Sequence, residues 1–70
     1  MAREGYLFLN EDGRFEADGI GYFTCGDSIK IFDEGEWLEG TVEANSDGQY
    51  YATDGIWVIY LEEGLKVISM

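Results

Sequence analysis

Proline and histidine are both absent from this 70-residue sequence, and cysteine occurs once, at Cys25. A lone thiol makes no intrachain disulfide. Without histidine there is no His/Cys zinc site and no imidazole to serve as a general base. Basic side chains are almost as scarce: four Lys and Arg stand against 15 Asp and Glu, a formal net charge of −11. That balance repels phosphate, so direct contact with nucleic acid or with an anionic membrane surface is not expected. No apolar run of signal-peptide length follows Met1, and none approaches the roughly 20 residues of a membrane span, so the expected location is cytoplasmic. Long helices are also missing. Every window of 11 residues contains a glycine, and none carries a clean i, i+3, i+4 apolar stripe.

What is present points to one small β domain over residues 1–70. The chain is 46% hydrophobic and 16% aromatic, too rich in large apolar side chains for a disordered acidic tail. Ten glycines recur in turn-like clusters such as Asp12-Gly13, Asp18-Gly19, Asp47-Gly48 and Asp54-Gly55, where positive φ is needed. Between them lie short runs of aromatic and β-branched residues, at 6–10, 14–17, 20–24, 28–33, 36–44, 49–53, 56–60 and 65–69. Short strands at regular spacing predict an all-β fold of five to seven antiparallel strands, with an N-terminal hairpin and a single 3-10 turn near 61–64.

Two hairpins can be phased. An even loop at 12–13 or 10–13 puts Tyr6 and Phe8 on one face with Phe15 and Ala17, and Leu7 and Leu9 on the other with Arg14 and Glu16. An even loop at 45–48 puts Leu38, Gly40, Val42 and Ala44 on a small, apolar inner face with Tyr51 and Thr53. Trp37, Glu39, Thr41 and Glu43 then share an outer face with Tyr50 and Ala52. A bulge or an odd loop would exchange Tyr50 and Tyr51. In the intervening run, Ile29 and Ile31 point one way and Lys30 and Phe32 the other.

From Gly26 onward the elements follow a familiar order: Gly26-Asp27-x-Ile29-x-Ile31, then Trp37-Leu38-Glu39-Gly40-Thr41-Val42, then Gly48-Gln49-Tyr50-Tyr51, and Gly64-Leu65-Lys66-Val67 at the end. This order resembles the SH3-like small barrels, a group that includes Tudor modules. With the Asn10-Glu11-Asp12-Gly13-Arg14-Phe15 hairpin, it also resembles a family of short proteins of unassigned function from phages, plasmids and conjugative elements of Gram-positive bacteria. The resemblance implies an SH3-like barrel and carries no activity with it. A methyl-lysine cage of the Tudor kind would have to be drawn from Trp37, Tyr50, Trp57 and Tyr60. The competing reading makes half of these rings core and the rest cover for a strand edge.

Catalytic chemistry finds little support. Cys25 lies beside Asp27, whose charge opposes thiolate formation, and reads as a partly buried structural cysteine. Adjacent carboxylates such as Glu62-Glu63 are too common here to signal a glycosidase. The Asn10-x-Asp12-Gly13 and Asn45-x-Asp47-Gly48 loops carry oxygen ligands but lack calcium-loop spacing, and hairpin turns need these residues anyway. No catalytic residue, metal or cofactor is therefore assigned.

The charge remains to be explained. Its plain role is solubility and protection of strand edges. A sharper role is nucleic-acid mimicry: alternate side chains on a strand lie about 6.6 Å apart, near a phosphate spacing, and Glu36, Glu39 and Glu43 form the densest acidic strand. The leading expectation is a non-enzymatic acidic binding module that presents an aromatic and acidic face to a basic protein partner. Trp37, Glu39, Glu43, Tyr50 and Glu36 are the partner-binding residues. The alternatives are a nucleic-acid mimic that inhibits a DNA- or RNA-binding host defence protein, and a structural homodimer using Leu7, Leu9 or Phe32.

Overall fold

The computed structural model describes residues 4–69. They form eight short antiparallel strands: β1 (Glu4–Leu9), β2 (Phe15–Ala17), β3 (Gly21–Tyr22), β4 (Ser28–Asp33), β5 (Glu36–Ala44), β6 (Tyr50–Thr53), β7 (Val58–Tyr60) and β8 (Lys66–Ser69). All belong to one sheet of order β3-β2-β1-β8-β4-β5-β6-β7. No helix occurs among the described residues, so the all-β expectation holds. Residues 61–64 form a turn rather than a 3-10 segment, and the Leu65 N–H donates to the Glu62 carbonyl at 3.4 Å.

Side-chain alternation builds the core. In β4, Ile29 and Ile31 are fully buried; Val42 in β5 and Val67 in β8 meet them. Each such aliphatic side chain contributes roughly 1.5–3 kcal/mol on burial. Leu7 and Ala17 from one end of the sheet and Ala52 from the other join the same cluster, with Phe23 and Leu61 from connecting segments. Strands that lie so far apart in the sheet reach one core only because the sheet curls around it.

The two long hairpins share one turn geometry. Leu7 pairs with Ala17 and Leu9 with Phe15, while Val42 pairs with Ala52 and Ala44 with Tyr50. The loops therefore hold three residues, 11–13 and 46–48, not the expected even number. In each, the asparagine N–H donates across the loop base, from Asn10 to the Arg14 carbonyl and from Asn45 to the Gln49 carbonyl. Each asparagine Oδ1 also accepts two backbone N–H groups, from Asp12 and Arg14 or from Asp47 and Gln49, at 2.9–3.0 Å. Gly13 and Gly48 follow with φ near +80°, as a three-residue loop requires. An odd loop shifts the facing by one residue. Leu7, not Tyr6, is core, and Tyr6 and Phe8 are exposed. Leu7 is accordingly unavailable for a dimer patch.

Cys25 is exposed, contrary to the buried role expected of it. It sits at the corner of a turn in which the Asp27 N–H donates to the Thr24 carbonyl and the Asp27 carboxylate accepts the Thr24 N–H. Gly26 supplies the positive φ.

The β4–β5 hairpin is tighter. Asp33 pairs with Glu36, leaving the two-residue loop Glu34-Gly35, and both loop residues have positive φ. Glu34, at φ 50°, is a β-carbon-bearing residue in the left-handed region. The preferred sequence for such a turn is Asn-Gly. Glu34→Asn should raise stability by about 1 kcal/mol and the melting temperature by roughly 4–8 °C in a thermal scan.

Gly40 is constrained by space. A methyl group there would come within 2.7 Å of the Thr53 carbonyl oxygen and 2.8 Å of the Trp57 ring. The 53–57 turn that positions Trp57 is closed by Thr53 Oγ1–H donating to the Trp57 carbonyl and by Asp54 Oδ1 accepting the Ile56 and Trp57 N–H groups. Gly40→Ala should cost about 1–3 kcal/mol through displacement of this turn. The cost is measurable as a lower denaturant midpoint at unchanged slope.

Candidate functional site

The convex side of the sheet carries side chains in rows that the registers define. One row runs from Tyr6 in β1 to Lys66 in β8, then Phe32 in β4 and Trp37 in β5. Tyr6 is 62% exposed, Phe32 38% and Trp37 36%, so three aromatic rings on three strands of a hydrogen-bonded sheet meet solvent. Phe8 extends the patch along β1. The Phe32 and Trp37 rings pack edge to face with centroids 5.1 Å apart. Lys66 Nζ lies 5.4 Å from the Phe32 centroid and 5.9 Å from that of Trp37, close enough for a cation–π contact with both.

The Lys66 ammonium also meets Glu4 Oε1 at 3.0 Å. Its hydrogen bond to Glu4, and then the charge of Glu4, raise the Lys66 pKa. On the loop side, the backbone N–H groups of Ile56 and Trp57 hold Asp54 below the usual carboxylate value. Glu4, Ile68, Lys30 and Glu39 form the next row. Beyond it, Glu43 pairs with Tyr51, which pairs with Tyr60, and the two tyrosine rings lie 5.5 Å apart.

Among the residues expected to bind a partner, Trp37, Glu39 and Glu43 share this outer face. Glu36 lies on the opposite phase of β5, at the hairpin tip across from Asp33. Tyr50 is also on the inner phase: it pairs with Ala44, packs against the core and lines a groove with Tyr60. The odd loop at 46–48 causes this, and it sets Tyr51 beside Glu43 instead. The four rings named for a cage do not share one site. Trp37 packs on Phe32, Trp57 covers Gly40, and Tyr50 and Tyr60 line the groove. Tyr6, Phe8 and Lys66 are members of the face that phasing the sequence missed. Phe32 already carried the signal, because it points away from Ile29 and Ile31.

Charge is unevenly spread. Between Lys30 and Lys66 there is no basic residue, while Asp33, Glu34, Glu36, Glu39, Glu43, Asp47, Asp54, Glu62 and Glu63 fall in that interval. The β5–β6–β7 half of the sheet therefore has no basic residue, and its carboxylates lie on β5 and in the loops. Among the described residues, no group of three His, Cys, Asp or Glu side chains is placed to hold a metal ion. No helix there is long and apolar enough to cross a membrane.

The raised Lys66 pKa gives the ion pair a definite pH signature. Its contribution is fully present below the ordinary lysine value of 10.5 and is lost as pH rises through the higher folded-state value. An NMR titration of the Lys66 side chain should find a pKa above 10.5 in the native protein and a return toward 10.5 in Glu4→Gln. Equal values in the two proteins would contradict the pairing.

No curated protein and no solved structure matches the chain. A family model does match, over residues 5–68, and its description is a domain of unknown function (DUF5348). That match spans the sheet from β1 to β8, including both Asn-x-Asp-Gly hairpins and the aromatic face, and the chain belongs to the DUF5348 family.

Proposed function

We propose that this protein is a single-domain, non-enzymatic binding module of the SH3-like small-barrel kind, whose outer aromatic face docks a basic protein partner. The observation that carries the reading is the row Tyr6–Lys66–Phe32–Trp37, large apolar rings held in water by a rigid sheet. Exposed aromatic clusters of this kind supply most of the energy at protein interfaces. Glu39 beside Trp37 and the acidic half of the sheet favour a cationic partner, chiefly by speeding its approach. The strand order from Gly26 to Val67 supports the SH3-like assignment. The resemblance to short phage and plasmid proteins supports a mobile-element origin and a role in the bacterial cytoplasm.

Mimicry of nucleic acid is the second reading, and Glu39 and Glu43 favour it. They lie four residues apart on one face, about 13 Å at strand rise, or roughly two phosphate steps. Glu36 does not extend that row, which weakens the mimic. A homodimer through Phe32 and Trp37 would use the same aromatic face, against mutual repulsion of two highly acidic copies.

Affinity capture from a bacterial lysate, with partners identified and compared across variants, tests the assignment. Trp37→Ala should reduce recovery of the specific basic partner at least about tenfold, the size of an interface hot spot. The Glu36→Gln/Glu39→Gln/Glu43→Gln variant should reduce it less, and added duplex DNA should not displace the partner. Undiminished recovery with Trp37→Ala would overturn the aromatic-face reading. Stronger loss with the glutamine variant, together with displacement by DNA, would establish mimicry.

A further inference from the structure

Away from Trp37, the two Asn-x-Asp-Gly hairpin tips flank a groove of about 280 Å³ lined by Leu9, Phe15, Tyr50, Tyr60 and Leu61. Gly13 and Gly48, the positive-φ residues of the two matching loops, stand on its rim. The volume lies just below the roughly 300–1,000 Å³ of small-molecule sites and suits one or two side chains of a polypeptide. The lining is mainly aromatic and aliphatic, with Gln49 as its polar side chain and Leu9 and Tyr60 each about half exposed.

Carboxylate residues flank the lining residues at four places. Asp12 adjoins Gly13, Asp47 adjoins Gly48, and Glu62 adjoins Leu61. Glu63 is fixed beside Leu9, whose N–H donates to Glu63 Oε2 at 3.0 Å. All four carboxylate residues are exposed. The nearest basic residue in the sequence, Arg14, is turned aside, with its guanidinium 5.5 Å from the centroid of the Tyr22 ring. Both hairpin tips are locked by paired hydrogen bonds to Asn10 and Asn45, so the walls are already in place before anything binds.

We infer that this groove is a second docking site, which receives an extended basic segment of a partner protein. An aliphatic side chain of the segment enters the bowl formed by Phe15, Tyr50 and Tyr60, and flanking Arg or Lys residues meet Asp12, Asp47, Glu62 and Glu63. The apolar lining selects the anchor and the carboxylates select its neighbours, so neither a purely basic nor a purely apolar segment satisfies the site. The inference rests on the proposed basic partner but not on the Trp37 face, and the two fail separately.

The test is an NMR titration of the 15N-labelled full chain with three capped nonapeptides. One alternates Arg with Leu, one replaces every Arg with Glu, and one replaces every Leu with Gly. Saturable shifts should appear at the amides of Gly13, Gly48, Gln49 and Leu61 with the Arg/Leu peptide. Both control peptides should bind at least about tenfold more weakly, and so should the Arg/Leu peptide to Asp12→Asn/Asp47→Asn/Glu62→Gln, all exposed positions. Shifts confined to Tyr6, Phe32 and Trp37 would overturn the groove while leaving the aromatic face standing. Absence of saturable shifts, or equal binding of the Glu/Leu peptide, would overturn it too. Concentration-dependent shifts at the same amides without peptide would overturn it in favour of a second copy of the chain.

Discussion

Side chains on a strand alternate between two faces, so the length of the turn before a strand decides which half of its residues is buried. Two three-residue loops make that decision here. Asn10 and Asn45 each bind the backbone of their own loop twice through Oδ1, and a glycine completes the turn. Leu7, Ala17, Val42 and Ala52 consequently meet in the core, and Tyr6 and Phe8 are left outside beside Phe32 and Trp37. The burial of Leu7, the outward place of Tyr6 and Phe8, and the groove between the two tips follow from this local geometry, while the two-residue turn at Glu34-Gly35 sets Phe32 against Trp37.

The same turns place charge. Loop tips and hairpin ends carry most of the carboxylates, which keeps them in water, and no polar or charged side chain is buried among the described residues. A small core leaves little stability to offset repulsion among so many like charges. The structure relieves some of this by setting Lys66 against Glu4 and over the Phe32 and Trp37 rings. The segment from Ile56 to Leu61 contains no charge at all and ends the sheet at β7, with Ile56 and Val58 exposed. Net charge elsewhere in the chain is what opposes pairing of that edge with another copy.

Much of the architecture is legible from composition alone. Glycine clusters and β-branched runs locate the strands within a few residues, and Ser28–Asp33 and Glu36–Ala44 match in full. The inward phase of Ile29, Ile31 and Val42 is legible too, because their outward neighbours are polar or aromatic. The first hairpin is harder: Tyr6, Leu7, Phe8 and Leu9 are all apolar, so alternation offers no contrast and only loop length can set the phase. Tyr50 and Tyr51 pose the same problem. The candidate site suffers accordingly, since Tyr50 changes face with one residue of register. Cys25 is misjudged for another reason, because a turn corner exposes whatever occupies it. The contact of Lys66 with Phe32 and Trp37 joins strands far apart in sequence and depends on β8 lying between β1 and β4.

Cross-strand proton contacts measured by NMR address the register directly. Three-residue loops predict close Hα–Hα approach between Leu7 and Ala17 and between Val42 and Ala52, pairs whose α-carbons face each other without exchanging hydrogen bonds. Contacts displaced by one residue, from Phe8 to Ala17 and from Val42 to Tyr51, would put Tyr6 and Phe8 inside and would contradict the account of both the core and the face built on it.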